Sequence, residues 1–132
     1  MRLVFGTDEH TVLTESIVAT LAQQGHEVVP VADGEEWQAV GRAVGEAVAG
    51  GGADRGVVCC WTGTGVSIAA NKVPGVRAAL CTDAETARGA RRWNDANVLA
   101  LSLRLTSPEV AKEMLDAFLA TPADEPAPPE LE

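Results

Sequence analysis

Arg55-Gly56-Val57-Val58-Cys59-Cys60-Trp61-Thr62-Gly63-Thr64-Gly65-Val66-Ser67-Ile68-Ala69-Ala70-Asn71-Lys72 decides the fold of this chain. Arg55–Cys60 reads as a strand that is apolar on both faces, as a strand in the middle of a parallel sheet must be. A glycine-rich turn follows at once, and then a short helix over Val66–Lys72. Working outward, the same alternation repeats. Arg2–Gly6 is a strand, Val12–Gln24 carries a helical apolar stripe that Gly25 stops, and His26–Val31 is a second strand. Asp33 caps a helix from about Gly34 to Ala49, in which Trp37, Val40, Val44 and Val48 fall at helical spacing. Val76–Cys81 is a strand, Thr82 or Asp83 caps a helix to about Trp93, and Asn97–Leu101 is the last strand. Ser107 and Pro108 open a final helix to about Ala120. Five strands alternating with five helices predict an α/β fold: a single-domain, three-layer α/β/α sandwich over residues 1–120, with a five-stranded parallel sheet of Rossmann or flavodoxin-like type. Residues 121–132 hold four prolines and four acidic residues and read as a disordered tail.

The 132 residues are 46% hydrophobic and 22% charged, an ordinary soluble composition. No apolar run approaches the ~20 residues of a membrane span. The apolar start at Met1–Gly6 is too short for a signal peptide. Three cysteines, two of them adjacent, make no disulfide framework, so the expected home is the reducing cytoplasm. A formal net charge of −9 argues against nucleic acid and anionic membranes as partners. It also opposes long-range attraction of a phosphorylated substrate, although screening over about 8 Å lets local arginines outweigh the global field.

In sheets of this kind ligands bind beyond the carboxyl ends of the strands. Thr7–His10, Trp61–Gly65 and Thr82–Asp83 stand at such ends. Cys60 leaves its strand beside the amides of the glycine turn and the start of a helix, both of which favour a thiolate. Cys59, facing the other side, and Cys81 read as small buried hydrophobes. Gly63-Thr64-Gly65-Val66-Ser67-Ile68 lacks the third glycine of a dinucleotide fingerprint, and no Gly-Lys-Ser/Thr follows to make a phosphate loop. An anion-binding turn beside a thiol is what the residues themselves support.

The text Ser67-Ile68-Ala69-Ala70-Asn71-Lys72-Val73-Pro74-Gly75-Val76-Arg77-Ala78-Ala79-Leu80-Cys81, continued in Asp83-Ala84-Glu85-Thr86-Ala87-Arg88 and Asn94-Asp95-Ala96-Asn97-Val98-Leu99-Ala100, resembles the ribose-5-phosphate isomerase B and galactose-6-phosphate isomerase family. The resemblance implies an aldose–ketose isomerase of a pentose or hexose phosphate that works through a cis-enediolate. It makes Cys60 the general base, with Thr62 handling protons at the sugar oxygens. Gly63, Thr64 and Gly65 supply amides to the enediolate oxygen. Asp8 and His10 meet the substrate from the first loop, Asn94 contributes at the site, and Arg104 aligns with a phosphate-binding arginine. No metal and no organic cofactor are implied. The expected assembly is a homodimer with its site between subunits.

The chain departs from that pattern in several places. Trp61 stands where the family has the first glycine of its loop, and Trp93 where it has a ring-opening histidine. Glu9 intervenes between Asp8 and His10, Ala32-Asp33-Gly34 replaces an Asp-Tyr-Pro motif, and Pro122–Glu132 replaces a segment bearing arginines. Arg88, Arg91 and Arg92 read as a solvated helix face. Three readings follow: a sugar-phosphate isomerase, an isomerase-fold enzyme acting on a non-phosphorylated or bulkier substrate, and a non-catalytic binding or assembly module.

Overall fold

A computed structural model describes residues 1–132, and the strand β3 (Arg55–Cys60) lies at the centre of its sheet. The other elements are β1 (Arg2–Thr7), α1 (Val12–Gln23), β2 (Glu27–Asp33), α2 (Trp37–Ala49), α3 (Thr64–Asn71), β4 (Ala78–Leu80), α4 (Ala84–Asn94), β5 (Val98–Ser102) and α5 (Pro108–Ala120). All pairings are parallel and the strand order is β2-β1-β3-β5-β4. The order reverses between β1 and β3, which makes the carboxyl ends of those two strands the crevice of the sheet.

The twofold alternation of a strand builds two cores. Leu3, Phe5, Val57, Cys59, Leu99 and Leu101 face α1, α4 and α5, where Ile17, Leu21, Met114, Leu115 and Phe118 complete one layer. Val4, Val58, Cys60, Val98 and Ala100 face α2 and α3 and meet Val40, Val44, Val66 and Ala70. Each large side chain in these layers contributes roughly 1.5–3 kcal/mol by leaving water. The α/β sandwich expected from the alternation is therefore observed, and no helix is long and apolar enough to cross a membrane.

Four details differ from the sequence reading. The strand β2 runs to Asp33, with a register shift opposite Phe5/Gly6; its Pro30 lacks an N–H, which an edge strand tolerates. Helix α2 begins at Trp37, capped in position by Glu36 without a side-chain bond, so Asp33 is not its cap. Helix α3 begins at Thr64, inside the glycine turn, because Gly63 at φ +80° turns the chain directly into it. The strand β4 is short because the Arg77 N–H bonds to the Asn97 side chain rather than to the ladder. Asp83, not Thr82, caps α4 through the Thr86 N–H, and Ser107 caps α5 as expected.

Arg91 is buried rather than solvated: its guanidinium donates to the carbonyls of Thr121 and Ala96 and to the Asp95 carboxylate. It thereby seals the end of α4 against the exit from α5. Arg88 pairs with Glu85, and Arg92 pairs with Asp124. Residues 121–132, read as disordered from composition, make further contacts along this edge. The Asp124 N–H donates to the Arg92 carbonyl, the Ala127 N–H donates to Asp95, and Pro129–Leu131 form a 3-10 turn.

Helix α2 seats on α3 through two glycines. A Cβ on Gly41 would stand 2.6 Å from Ala69 Cβ and 2.8 Å from the Val66 carbonyl oxygen, whereas one on Gly45 would meet the Val73 side chain at 3.0 Å. An alanine gains up to ~1 kcal/mol of helix propensity over glycine, and overpacking costs about 1–3 kcal/mol. Gly41→Ala is therefore expected to lose about 1–2 kcal/mol and Gly45→Ala to stay within about 1 kcal/mol of the parent, as read from urea midpoints at unchanged slope.

Candidate active site

The glycine turn is held by its backbone surroundings. Beyond Cys60, the ladder to β5 continues as the Leu103 N–H donates to the Cys60 carbonyl and the Arg104 N–H to that of Trp61. The Ser102 hydroxyl donates to the Trp61 carbonyl at 3.0 Å. Gly63 must be glycine twice over. Its φ is left-handed, and a Cβ there would lie 2.6 Å from Leu80 Cδ1 and 2.9 Å from the Leu101 carbonyl carbon. No side chain caps α3, so the N–H groups of its first turn, Thr64, Gly65 and Val66, have no partner within the helix. Thr62 and Thr64 are exposed and share a hydroxyl–hydroxyl bond of 2.7 Å.

Three thiols are distinguished by place. Cys59 is fully buried against α1 and α5, and burial pushes its thiol far above the ordinary range. Burial, helped by the nearby Asp83 charge, raises Cys81 to about 11. Cys60 is 5% exposed and faces α2 and α3, at the end of β3 where the glycine turn begins.

Asp8 stands one residue beyond the Thr7–Cys59 register pair, so alternation puts its side chain on the same sheet face as Cys60. Its N–H donates to the Cys59 carbonyl at 3.2 Å. One carboxylate oxygen, Oδ1, is buried without a hydrogen-bond partner. Burial, then the neighbouring Glu9 charge, holds the Asp8 carboxyl above the usual carboxylate range.

His10 is engaged elsewhere. Its Nδ1 lies 2.9 Å from Asp33 Oδ2 and its Nε2 2.8 Å from Glu15 Oε1. Carboxylates only accept, so both ring nitrogens donate and the imidazolium form is favoured, chiefly by Asp33 and then by Glu15. The ring ties the end of β2 to α1 across the first loop and is not directed at Cys60. Arg104 is exposed beside the turn on the β5 side and makes no ion pair.

Asn94 lies at the far end of the sheet. It ends α4, just before β5 begins at Val98, while Cys60 pairs with Ser102 at the end of that five-residue strand. At about 3.3 Å per residue, some 15 Å separate the two ends within one chain. A cleft lies at this same far end, lined by Asn71, Arg77, Ala79, Asn94 and Leu131 among others. The geometry thus brings together Asp8, Cys60, Thr62, Gly63, Thr64, Gly65 and Arg104, but neither His10, held by Asp33 and Glu15, nor Asn94. Trp61 and Trp93 are 58% and 71% exposed.

Trp37 keeps the helical spacing of Val40 and Val44, which are fully buried, but does not share their burial. Trp37 is 40% exposed and its indole lies on Gly65: a Cβ on that glycine would be 2.8 Å from Trp37 Cε3. The signal that finds it is Gly41, four residues on, which marks the face of α2 that touches α3. No three His, Cys, Asp or Glu side chains converge as a metal site would require.

The model of the family described as ribose/galactose isomerase matches residues 3–128. The chain belongs to the ribose/galactose isomerase family. A ribose-5-phosphate isomerase B of Escherichia coli is 39% identical over 123 residues that cover 89% of this chain and 83% of that protein. A D-erythrulose-4-phosphate isomerase of Pectobacterium atrosepticum is 36% identical, covering 90% of this chain and 82% of its own. The structure of a ribose-5-phosphate isomerase B from Clostridium thermocellum superposes with a TM-score of 0.90 at 39% identity, over 96% of this chain and 88% of that one. The family and the fold read from the sequence are both borne out, and with them the isomerase class.

The His10 bridges give a pH signature. A histidine whose native pKa is raised adds stability fully below its ordinary value near 6.5, and that stability is lost as pH rises through the raised value. His10→Gln is expected to lower the urea midpoint between about pH 5 and 6, below the ordinary histidine value, and to leave it unchanged near pH ~9.

Proposed function

We propose that this chain interconverts an aldose phosphate and its ketose isomer, of pentose or hexose size, through a cis-enediolate. The observation that carries the reading is Cys60 at the carboxyl end of β3, followed directly by left-handed Gly63 and the uncapped start of α3. The names of the two isomerases above support the same reaction class on phosphorylated sugars.

The Cys60 thiolate removes the C2 proton of the open-chain aldose and returns it to C1, while one proton passes from the C2 oxygen to the C1 oxygen. Thr62, hydrogen-bonded to Thr64, is placed to relay that second proton. Negative charge grows on the enediolate oxygen and meets N–H groups that are already aimed and need not reorganise. Asp8 accepts from a sugar hydroxyl, and Arg104 faces the phosphate from the β5 side. Aldose and ketose are isomers, so no electrons or atoms are left over and no cofactor is consumed.

Asn94 enters from a second copy of the chain, because its own Cys60 is a strand's length away. The working unit on this reading is a cytoplasmic homodimer with each site shared between subunits. A second reading, an enzyme for a non-phosphorylated or bulkier substrate, is favoured by Trp61 at the mouth of the turn and by the carboxylates of Asp8, Glu35 and Glu36 nearby.

A panel of five- and six-carbon aldoses, with and without phosphate, is assayed for solvent-deuterium incorporation at C2. Cys60→Ala is expected to lower the rate at least about a hundredfold, the usual worth of a positioned base. Exchange that survives this change excludes Cys60 as the base, and exchange on unphosphorylated sugars alone selects the second reading. Mixing inactive Cys60→Ala with inactive Asn94→Ala is expected to restore about a quarter of parental activity, since half of random dimers carry one intact site. No recovery on mixing would place Asn94 outside the site.

A further inference from the structure

Between the end of β1 and the start of α2 lies a cleft lined by Asp8, Gly34, Glu35, Glu36, Trp37 and Gln38. Its floor is the Trp37 indole, which rests on Gly65 of the turn, with Cδ2 only 2.9 Å from where a Cβ would be. Its walls carry carboxylates. Glu35 accepts the Asp33 N–H, whereas the Glu36 side chain makes no capping bond and leaves the first N–H groups of α2 without an intrahelical or side-chain partner. Asp8 adds a buried oxygen with no donor. The cleft therefore offers acceptors, donors and an aromatic face, and no cation.

That combination selects among ligands. A phosphate is drawn to a helix start but repelled by three carboxylates. An apolar group leaves the donors and acceptors unpaired. A run of vicinal hydroxyls satisfies both kinds of partner, and its C–H faces pack on the indole. We propose that this cleft is the subsite for the uncharged, hydroxyl-bearing carbons of the substrate, with Trp37 as its specificity-determining platform. A phosphate, where the substrate has one, then points to the opposite side of Cys60, toward Arg104. The placement of the reacting carbons rests on the isomerase reading above; the polyol site itself does not.

Two experiments separate the two. In kinetics, Trp37→Ala is expected to raise KM about tenfold for phosphorylated and unphosphorylated aldoses alike, with kcat changed much less, and Trp37→Phe to recover most of the loss. Glu36→Gln is expected to raise KM several-fold. A KM for the phosphorylated sugar that falls in Glu36→Gln means that the cleft holds phosphate and overturns the proposal, as does an unchanged KM in Trp37→Ala. In ligand-observed NMR on the intact protein, saturation transfer to the C–H protons of ribitol is expected in the parent and in Cys60→Ala, to be lost in Trp37→Ala, and to persist when inorganic phosphate is added. Displacement by phosphate, or transfer undiminished in Trp37→Ala, overturns it. Ribitol binding that depends on Trp37 in a protein that turns over no sugar would support the subsite while rejecting the isomerase reading.

Discussion

Helix α2 sits unusually close to everything beneath and beside it, and the site is built on that closeness. Four glycines make it possible. Gly6 and Gly56 leave room on β1 and β3 for Val44, whose methyls would be 2.8 and 2.6 Å from added Cβ atoms. Gly41 and Gly45 do the same on the side of α3. With the helix held on two sides, its first residue, Trp37, has one place to go: onto Gly65. The position of the glycine turn is thus fixed from outside by α2, from behind by the backbone of Leu101, and from β5 by the bonds to Cys60 and Trp61. On the proposed reaction, a turn constrained this way presents its amides without an ordering cost at the moment that charge appears.

The charge pattern around the crevice is lopsided. On the β1 side stand Asp8, Glu9, Asp33, Glu35 and Glu36, with His10 neutralised between two carboxylates; on the β5 side stands Arg104. The fields of the two α-helix starts oppose the carboxylates locally. A ligand that crosses the crevice therefore meets acceptors at one end and a cation at the other, with Cys60 between them. The net charge of −9 says little about this gradient, because it averages over residues far outside one screening length.

What the sequence made legible was whatever is set by local pattern. The doubly apolar run Arg55–Cys60 could only be a central strand, and the alternation that sends Cys59 and Cys60 to opposite faces needs no tertiary knowledge. Gly63 and Gly65 announced the turn. What stayed hidden depends on partners distant in the chain. Asp33 has the look of a helix cap, but His10, 23 residues away, claims its carboxylate. Arg91 lies among exposed arginines in the text, and only the return of Thr121 buries it. Asn94 belongs to the site by resemblance, and the sequence does not show that within one chain it stands a strand's length from Cys60. Trp37 obeys the helical period and still leaves the core, because the glycine four residues on lets α3 occupy that face.

The placement of the aromatic residues has an optical consequence. The chain has no tyrosine, its two phenylalanines are in the core, and all three tryptophans lie outside it. Near-ultraviolet emission therefore arises wholly from the periphery: one indole on the glycine turn, one at the turn's mouth, and one on α4 at the opposite end. The interior is spectroscopically silent. Light from this protein reports what happens at its ends, and it would register a visitor before it registered the loosening of the core.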